Sequence, residues 1–148
     1  MTKIMVLNGP NLNMVGIREK NIYGTESFQD MIAEIEKAAK ERGISVECRQ
    51  SNHEGDLVDW IQEAYFEKYD GVVMNPGAYT HTSIAIADAV KAIAPVPVVE
   101  VHISDINSRE EFRHHSFAAP YCLKQIKGHG IRGYIEAMDE IIAFIEKG

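Results

Sequence analysis

The sequence predicts an α/β fold, a three-layer sandwich in which a five-stranded parallel sheet carries helices on both faces. Apolar runs of strand length alternate throughout the chain with segments whose apolar residues recur at helical spacing. Parallel strands need crossover connections, which the intervening helices supply. At 148 residues, 45% of them hydrophobic, the chain is the size of one domain with one core, so we expect a single domain spanning 1–148.

The first β/α unit is predicted from residues 3–7 and 27–42. Residues 3–7 form an apolar strand, and residues 27–42 form a helix that Thr25 or Ser27 can cap at its start and Gly43 at its end. The apolar positions of this helix, which recur at helical spacing, are Phe28, Met31, Ile32, Ile35 and Ala39.

The second unit begins with a strand of a different character. Ile44, Val46 and Cys48 alternate with polar residues, as they do in a strand that is exposed on one side, so we expect this strand at an edge of the sheet. A second helix follows, with its apolar face predicted at Leu57, Ile61, Ala64 and Tyr65.

The C-terminal half supplies three further strands. Residues 70–74 and 96–101 are short apolar strands separated by a helix from about 81 to 93, and residues 123–127 form a weaker last strand. The final helix is predicted to bury one face, formed by Ile135, Met138, Ile142 and Ile145.

Composition excludes several classes of function. No apolar stretch approaches the ~18 residues of a membrane span, and no charged segment followed by a long apolar one opens the chain, so we expect a cytoplasmic protein. A net charge of -7 without a basic run argues against nucleic acid as a partner. Cys48 and Cys122 are too few for a disulfide framework, so we expect both to be reduced.

Polar residues gather where the predicted strands end. Segments 8–13, 51–54, 75–83 and 100–105 are rich in amides, imidazoles and hydroxyls. In open parallel sheets ligands bind outside the carboxyl ends of the strands, so these segments predict one polar binding site. No phosphate-binding glycine motif is present, and the histidines lack the paired spacing typical of zinc sites, so we expect neither a nucleotide nor a metal.

The polar segments closely resemble those of type II 3-dehydroquinate dehydratases. The matching motifs are Asn-Gly-Pro-Asn-Leu-Asn at 8–13 with Arg18 and Tyr23, Gln-Ser-Asn-His-Glu-Gly at 50–55, Asn-Pro-Gly-Ala at 75–78, His-Thr-Ser at 81–83, Glu-Val-His-Ile-Ser at 100–104 and Arg-His-His-Ser at 113–116. They cover nearly the whole chain in the family's order. Departures at Met14, Val15 and Lys20 leave Arg18 and Tyr23 in place.

The resemblance implies a flavodoxin-like fold and an anti elimination of water from 3-dehydroquinate through an enolate, which yields 3-dehydroshikimate in the shikimate pathway to aromatic compounds. It assigns Tyr23 as the base, Arg18 as the cation that stabilises the transition state, and His102 as the acid that protonates the departing hydroxyl group. Glu100 lies two positions before His102 on one strand, so both side chains share a face and the carboxylate can orient the imidazole. Asn11 corresponds to the asparagine that helps to hold a water at the enolate oxygen.

Substrate contacts and assembly are also implied by the resemblance. The residues expected to bind the hydroxyl and carboxylate groups of the substrate are Asn75, His81, Arg113 and the backbone at Ile103 and Ser104. Asp88 is expected to reach the site of a neighbouring subunit, because family members form trimers grouped into dodecamers. No cofactor is implied, since the ketone itself acidifies the proton that leaves.

Two other functions are consistent with the predicted architecture, because a fold alone does not specify an activity. The chain could be a flavodoxin-like module that binds a small ligand without catalysis, or a structural assembly subunit whose polar loops form interfaces. Taken singly, Tyr23, Arg18, His102 and Asp88 are each more typical of structural or surface positions. Five further residues receive no catalytic role, namely His53, Glu54, Arg109, His114 and His115.

Overall fold

A computed structural model describes residues 1–17 and 27–148 of the chain, so Arg18, Tyr23 and Thr25 lie outside the described residues. The strands are β1 (Lys3–Asn8), β2 (Ser45–Gln50), β3 (Gly71–Asn75), β4 (Val98–His102) and β5 (Lys124–Lys127). They form one sheet in the order β2-β1-β3-β4-β5, with every neighbouring pair parallel. The predicted parallel five-stranded sheet is confirmed, and so is the edge position of β2.

The helices are α1 (Phe28–Glu41), α2 (Glu54–Phe66), α3 (Ile84–Ala92) and α4 (Arg132–Lys147). Helices α1 and α4 pack on one face of the sheet, where Ile4 and Val6 of β1 join their buried core. Helices α2 and α3 pack on the other face, against Met5 and Leu7. Successive residues of one strand thus enter opposite cores, because side chains alternate across a strand. This arrangement is the predicted three-layer sandwich.

The start of α1 follows from its first residues. The Ser27 hydroxyl accepts a hydrogen bond from the Asp30 backbone N–H at 3.1 Å, and the Asp30 carboxylate accepts one from the Ser27 N–H at 3.1 Å. This reciprocal capping box satisfies two N–H groups that the helix itself cannot pair. After the helix the chain turns at Gly43, whose φ of 68° favours glycine, so the predicted ends of this helix are confirmed.

Three details of the helices differ from the predictions. The helix predicted from about 81 to 93 is α3, which begins only at Ile84, where the Ser83 hydroxyl caps it, and a separate 3-10 helix, Gly77–His81, precedes it. Tyr65, predicted on the buried face of α2, is 50% exposed. In α4 the buried face is centred on Tyr134 and Ile141, while Ile135 and Ile142 lie at its margin. The isoleucine pattern predicted this face one position too late in the chain, because it left out the buried Tyr134.

Five short 3-10 helices lie in the loops of the described chain: Leu12–Met14, Gly77–His81, Ile106–Ser108, Glu111–Arg113 and Ala119–Tyr121. Four of them follow the carboxyl ends of β1, β3 and β4. Outside residues 18–26, no helix has both the length and the apolar character that a membrane crossing requires.

Candidate active site

A cavity of about 310 Å³ opens at the carboxyl edge of the sheet, where β1, β3 and β4 end. Its walls are formed by Pro10, Asn11, Leu12, Asn75, Gly77, Ala78, His81, His102, Ile103, Ser104, Ile106, Arg109 and Arg113. Three of the four polar segments, 8–13, 75–83 and 100–105, therefore meet in one place, because all five strands run in the same direction, whereas no residue of 51–54 lines the cavity. A cavity of this size is at the lower end of the range for small-molecule sites.

The floor of the cavity is a contact between the turns that follow β1 and β3. A Cβ atom on Gly9 would lie 2.4 Å from the Pro76 carbonyl oxygen, and one on Gly77 would lie 3.0 Å from the Pro10 carbonyl oxygen. The Gly9 N–H also donates to the Asn75 carbonyl at 2.8 Å. Only glycine allows two backbones to approach so closely. This contact fixes the backbone beside the two glycines, which carries Asn11 and Asn75.

Asn11 and Asn75 enter the cavity from these two turns. Asn11 has a left-handed backbone, with φ of 68°, which asparagine tolerates better than most residues. Its N–H donates to Asn52 Oδ1 at 3.0 Å. Asn75 Oδ1 accepts the Gly77 N–H at 3.1 Å, which fixes the orientation of the Asn75 amide. The backbone of Asn11 and the side-chain amide of Asn75 therefore have defined positions before any ligand is present.

Glu100 and His102 form a buried ion pair on β4. Their side chains leave the same face of the strand, and His102 Nε2 lies 2.7 Å from Glu100 Oε2, with the side chains 6% and 0% exposed. Glu100 also accepts from Ser116 Oγ at 2.7 Å and from Gln125 Nε2 at 2.6 Å. Burial raises the pKa of the Glu100 carboxyl, but these three hydrogen bonds outweigh burial and hold the pKa below its ordinary value.

The ionised carboxylate determines the protonation of the His102 ring. A carboxylate can only accept hydrogen bonds, so the Nε2 of His102 carries a proton and donates it to Glu100. The other nitrogen, Nδ1, is then the atom through which this cavity-lining ring can exchange a proton with a ligand. Glu100 itself does not line the cavity.

His81 also lines the cavity, and a backbone carbonyl group fixes the orientation of its ring. Its Nδ1 lies 2.8 Å from the His115 carbonyl oxygen, and since a carbonyl can only accept, Nδ1 carries the proton. Burial lowers the pKa of His81, and the nearby His102 and Arg113 lower it further, against a smaller raising effect of the His115 carbonyl. The ring is therefore neutral at pH 7, with Nε2 as a hydrogen-bond acceptor.

The cavity is positive although the whole chain carries a net charge of -7. Arg109 and Arg113 line it together with the two histidines, and none of the described residues in its walls is acidic. Arg113 Nε donates to Glu110 Oε2 at 2.5 Å, and Arg109 donates to Ser104 Oγ at 3.4 Å. The arrangement suits a small anion, which the two guanidinium groups can meet with several N–H donors.

The structure brings together most of the residues that the sequence singled out. Those that line the cavity are Asn11, Asn75, His81, His102, Ile103, Ser104 and Arg113. Glu100 lies behind His102, and Asp88 lies apart from the cavity on the exposed side of α3. Arg18 and Tyr23 fall outside the described residues. Across residues 1–17 and 27–148, no three His, Cys, Asp or Glu side chains form a group that could hold a metal ion.

Sequence reasoning missed three residues of the site. Arg109, interpreted as structural, lines the cavity. Ser116 and Gln125 hold Glu100, and neither was assigned a role. For Gln125 the signal is available only from strand pairing, because β5 pairs with β4 so that Gln125 is the direct neighbour of Glu100.

Known proteins resemble this chain over almost its full length. A family model described as dehydroquinase class II matches residues 2–142. The chain is 57% identical over 138 residues to a 3-dehydroquinate dehydratase of Caldicellulosiruptor bescii, a match that covers 93% of this chain and 94% of that protein. It is 58% identical over 139 residues to one of Clostridium perfringens, covering 94% of this chain and 96% of the relative.

A solved structure agrees in fold as well as in sequence. The crystal structure of a type II dehydroquinase from Butyrivibrio crossotus superimposes on this chain with a TM-score of 0.94 at 55% identity, covering 95% of this chain and 97% of that one. The chain therefore belongs to the class II dehydroquinase family.

Proposed function

We propose that this chain, a type II 3-dehydroquinate dehydratase by its family, eliminates water from 3-dehydroquinate in a single catalytic domain, by anti elimination through an enolate, to give 3-dehydroshikimate. The observation that carries the mechanism is the buried Glu100 and His102 pair in the wall of a positive cavity. A base removes the proton α to the ketone, electrons move to the ketone oxygen, and an acid protonates the hydroxyl group, which leaves as water.

The base in this proposal is Tyr23, activated by Arg18. A phenol of pKa ~10 is only about one part in a thousand ionised at pH 7, which corresponds to roughly 4 kcal/mol. A cation at ~4 Å contributes about the same amount at an effective dielectric near 20. The family resemblance supports both roles.

The acid in this proposal is His102. Glu100 holds the proton on Nε2 and stabilises positive charge on the ring, so the proton given to the departing hydroxyl group comes from Nδ1. After the step the neutral ring keeps its hydrogen bond to Glu100, so it is positioned to take up a proton again. The pair therefore keeps one imidazole in one orientation through the whole cycle.

The remaining polar groups bind the substrate. Arg113 donates one of its five N–H groups to Glu110, which leaves the others for a ligand. In this proposal Arg113 binds the carboxylate of the substrate together with the backbone at Ile103 and Ser104. His81 accepts a hydrogen bond from a substrate hydroxyl at Nε2, since its Nδ1 proton is committed to the His115 carbonyl. Asn75 donates to another hydroxyl group, and Asn11 holds a water at the enolate oxygen.

We propose further that the protein is cytoplasmic and assembles as trimers grouped into a dodecamer, with Asp88 reaching a neighbouring site. Support comes from α3, where Asp88 is exposed one turn after Ile84, an isoleucine that is 59% exposed. At this exposed position Asp88 is accessible to a neighbouring subunit, and the family resemblance supports the assembly itself. Light scattering measures the assembly, and a monomeric mass would contradict it.

The direct test incubates the protein with 3-dehydroquinate and follows the ultraviolet absorbance of the conjugated enone product. An absorbance rise is expected from the enzyme, while a ligand-binding module or a structural subunit would give none. Borohydride added with substrate separates the mechanisms, because it traps the Schiff base of a lysine-dependent dehydratase. Full activity after borohydride is expected here, and inactivation would contradict the enolate mechanism with a tyrosine base.

A further inference from the structure

Tyr134 of α4 is completely buried, at 0% exposure, yet its hydroxyl group has two polar partners. Its O–H donates to Asn8 Oδ1 at 2.6 Å, and its oxygen accepts from Asn75 Nδ2 at 3.0 Å. Asn8 and Asn75 are paired residues at the ends of β1 and β3. The helix therefore contacts the end of the sheet where the cavity opens, although no residue of α4 lines that cavity.

The direction of these hydrogen bonds follows from one backbone group. The Gly77 N–H must donate to Asn75 Oδ1, so the NH₂ end of the Asn75 amide faces Tyr134. The Tyr134 oxygen must then accept, and its own proton is left for Asn8. Burial raises the pKa of Tyr134, outweighing the lowering effect of Asn75, so the phenol keeps that proton at all ordinary pH values.

Both ends of the Asn75 amide are thus occupied by the protein itself. The oxygen is held by Gly77 and one N–H by Tyr134, so a single N–H of this cavity-lining residue is left for a ligand. Without the Tyr134 oxygen, that N–H would lose its buried partner. The amide could then relax by rotating toward the cavity, because leaving a buried donor unpaired is unfavourable.

We propose that Tyr134 is a positioning residue that holds the Asn75 amide in the orientation required to bind a substrate hydroxyl group. This inference rests on the proposed function of Asn75 as a substrate ligand. Through Tyr134, α4 contributes to substrate recognition, although the buried hydroxyl group touches no substrate atom.

The kinetic test is Tyr134→Phe, which removes the hydroxyl group and keeps the ring. We expect the KM for 3-dehydroquinate to rise about fivefold to tenfold while kcat changes by less than about twofold, since a ground-state contact is weakened. Tyr69→Phe is the matched control. Tyr69 is also buried and donates to Glu47, but neither residue lines the cavity, so its KM should not change.

A double-mutant cycle separates positioning from general stability. In an Asn75→Ala background, Tyr134→Phe should leave KM unchanged, because the group it positions is absent. An equal rise in KM in both backgrounds would overturn the inference, as would an unchanged KM in Tyr134→Phe alone. If Tyr134→Phe does not fold, Asn8→Ala tests the same hydrogen bonds, because it removes the acceptor of the Tyr134 proton. A normal KM in Asn8→Ala would contradict the positioning role of Tyr134.

A crystal structure of Tyr134→Phe decides the question without any turnover. A rotated or displaced Asn75 amide supports the positioning role, and an Asn75 that superimposes on the wild type overturns it. If wild-type protein failed to turn over 3-dehydroquinate, the proposed function would be contradicted, while the structure of the variant would still report on Tyr134.

Discussion

Replacing Glu100 by glutamine tests whether the buried carboxylate is needed for proton transfer. The substitution keeps the shape of the side chain and removes its charge, 2.7 Å from His102 Nε2 in a pair that solvent hardly reaches. Two unit charges ~4 Å apart interact by roughly 4 kcal/mol at an effective dielectric near 20. A neutral hydrogen bond that the glutamine oxygen accepts from His102 Nε2 recovers about 1 to 1.5 kcal/mol of that.

The remaining 2.5 to 3 kcal/mol correspond to a fall in kcat of about 100-fold, since ~1.4 kcal/mol changes a rate tenfold. The assay is the initial rate of enone absorbance at saturating 3-dehydroquinate, with circular dichroism to verify folding. Glu136→Gln is the matched control, because Glu136 Oε2 also lies 2.7 Å from a histidine, His129 Nδ1, in an exposed pair outside the cavity. Its kcat should equal that of the wild type.

A folded Glu100→Gln protein that retains kcat within about threefold of the wild type would refute this reasoning. Ser116→Ala provides a milder version if the glutamine variant is unstable, because it leaves the charge of Glu100 and its contact with His102 intact. It removes the hydrogen bond to Glu100 Oε1 and the one that Ser116 Oγ accepts from the Ala119 N–H. We expect it to lower kcat by less than about tenfold, the effect of one lost hydrogen bond to a charged group.

The folded protein holds the pKa of Glu100 below its ordinary value of 4.5. The ionised carboxylate therefore stabilises the fold fully above about pH 4.5, and this stabilisation is lost as the pH falls through the pKa of the folded state. Urea unfolding should show that the difference in unfolding free energy between wild type and Glu100→Gln becomes smaller below about pH 4.5. Gly9→Ala places a Cβ atom 2.4 Å from a backbone carbonyl oxygen and should lower the unfolding free energy by about 1–3 kcal/mol, whereas Gly55→Ala, with nothing within 4 Å, should not destabilise the protein. Tyr23→Phe and Arg18→Ala should each lower kcat at least about 100-fold with little change in substrate binding, and a Tyr23→Phe protein with near-normal turnover would place the base elsewhere.

The fold was predictable because local patterns and the global architecture agree. Alternating polar and apolar residues in β2 predicted an edge strand. The continuous apolar runs of β1 and β3 predicted strands, which the structure places inside the sheet and buries on both faces. The failures are equally local. α3 begins at Ile84 and not at residue 81, because a 3-10 helix, Gly77–His81, forms after β3 and the Ser83 hydroxyl caps the start of α3.

The site was predictable in part, because strand ends in a parallel sheet converge on one edge. That rule selected Asn11, Asn75, His81 and His102, all of which line the cavity. It could not select Gln125, which supports Glu100 from a neighbouring strand and has an ordinary sequence setting. Residues that act through another side chain carry no motif of their own, so only the tertiary structure reveals them.

The sequence by itself determined the succession of strands and helices along the chain, the polar residues at the carboxyl edge of the sheet, and the family. These follow from hydrophobic periodicity and from motifs that are contiguous in the chain. Only the tertiary structure decided which nitrogen of His102 carries the proton toward Glu100, and that Tyr134 in the last helix holds Asn75. The first depends on the side-chain geometry of two residues on one strand, and the second on the distance between α4 and the end of β3. Hydrogen bonds become specific only when packing fixes such distances.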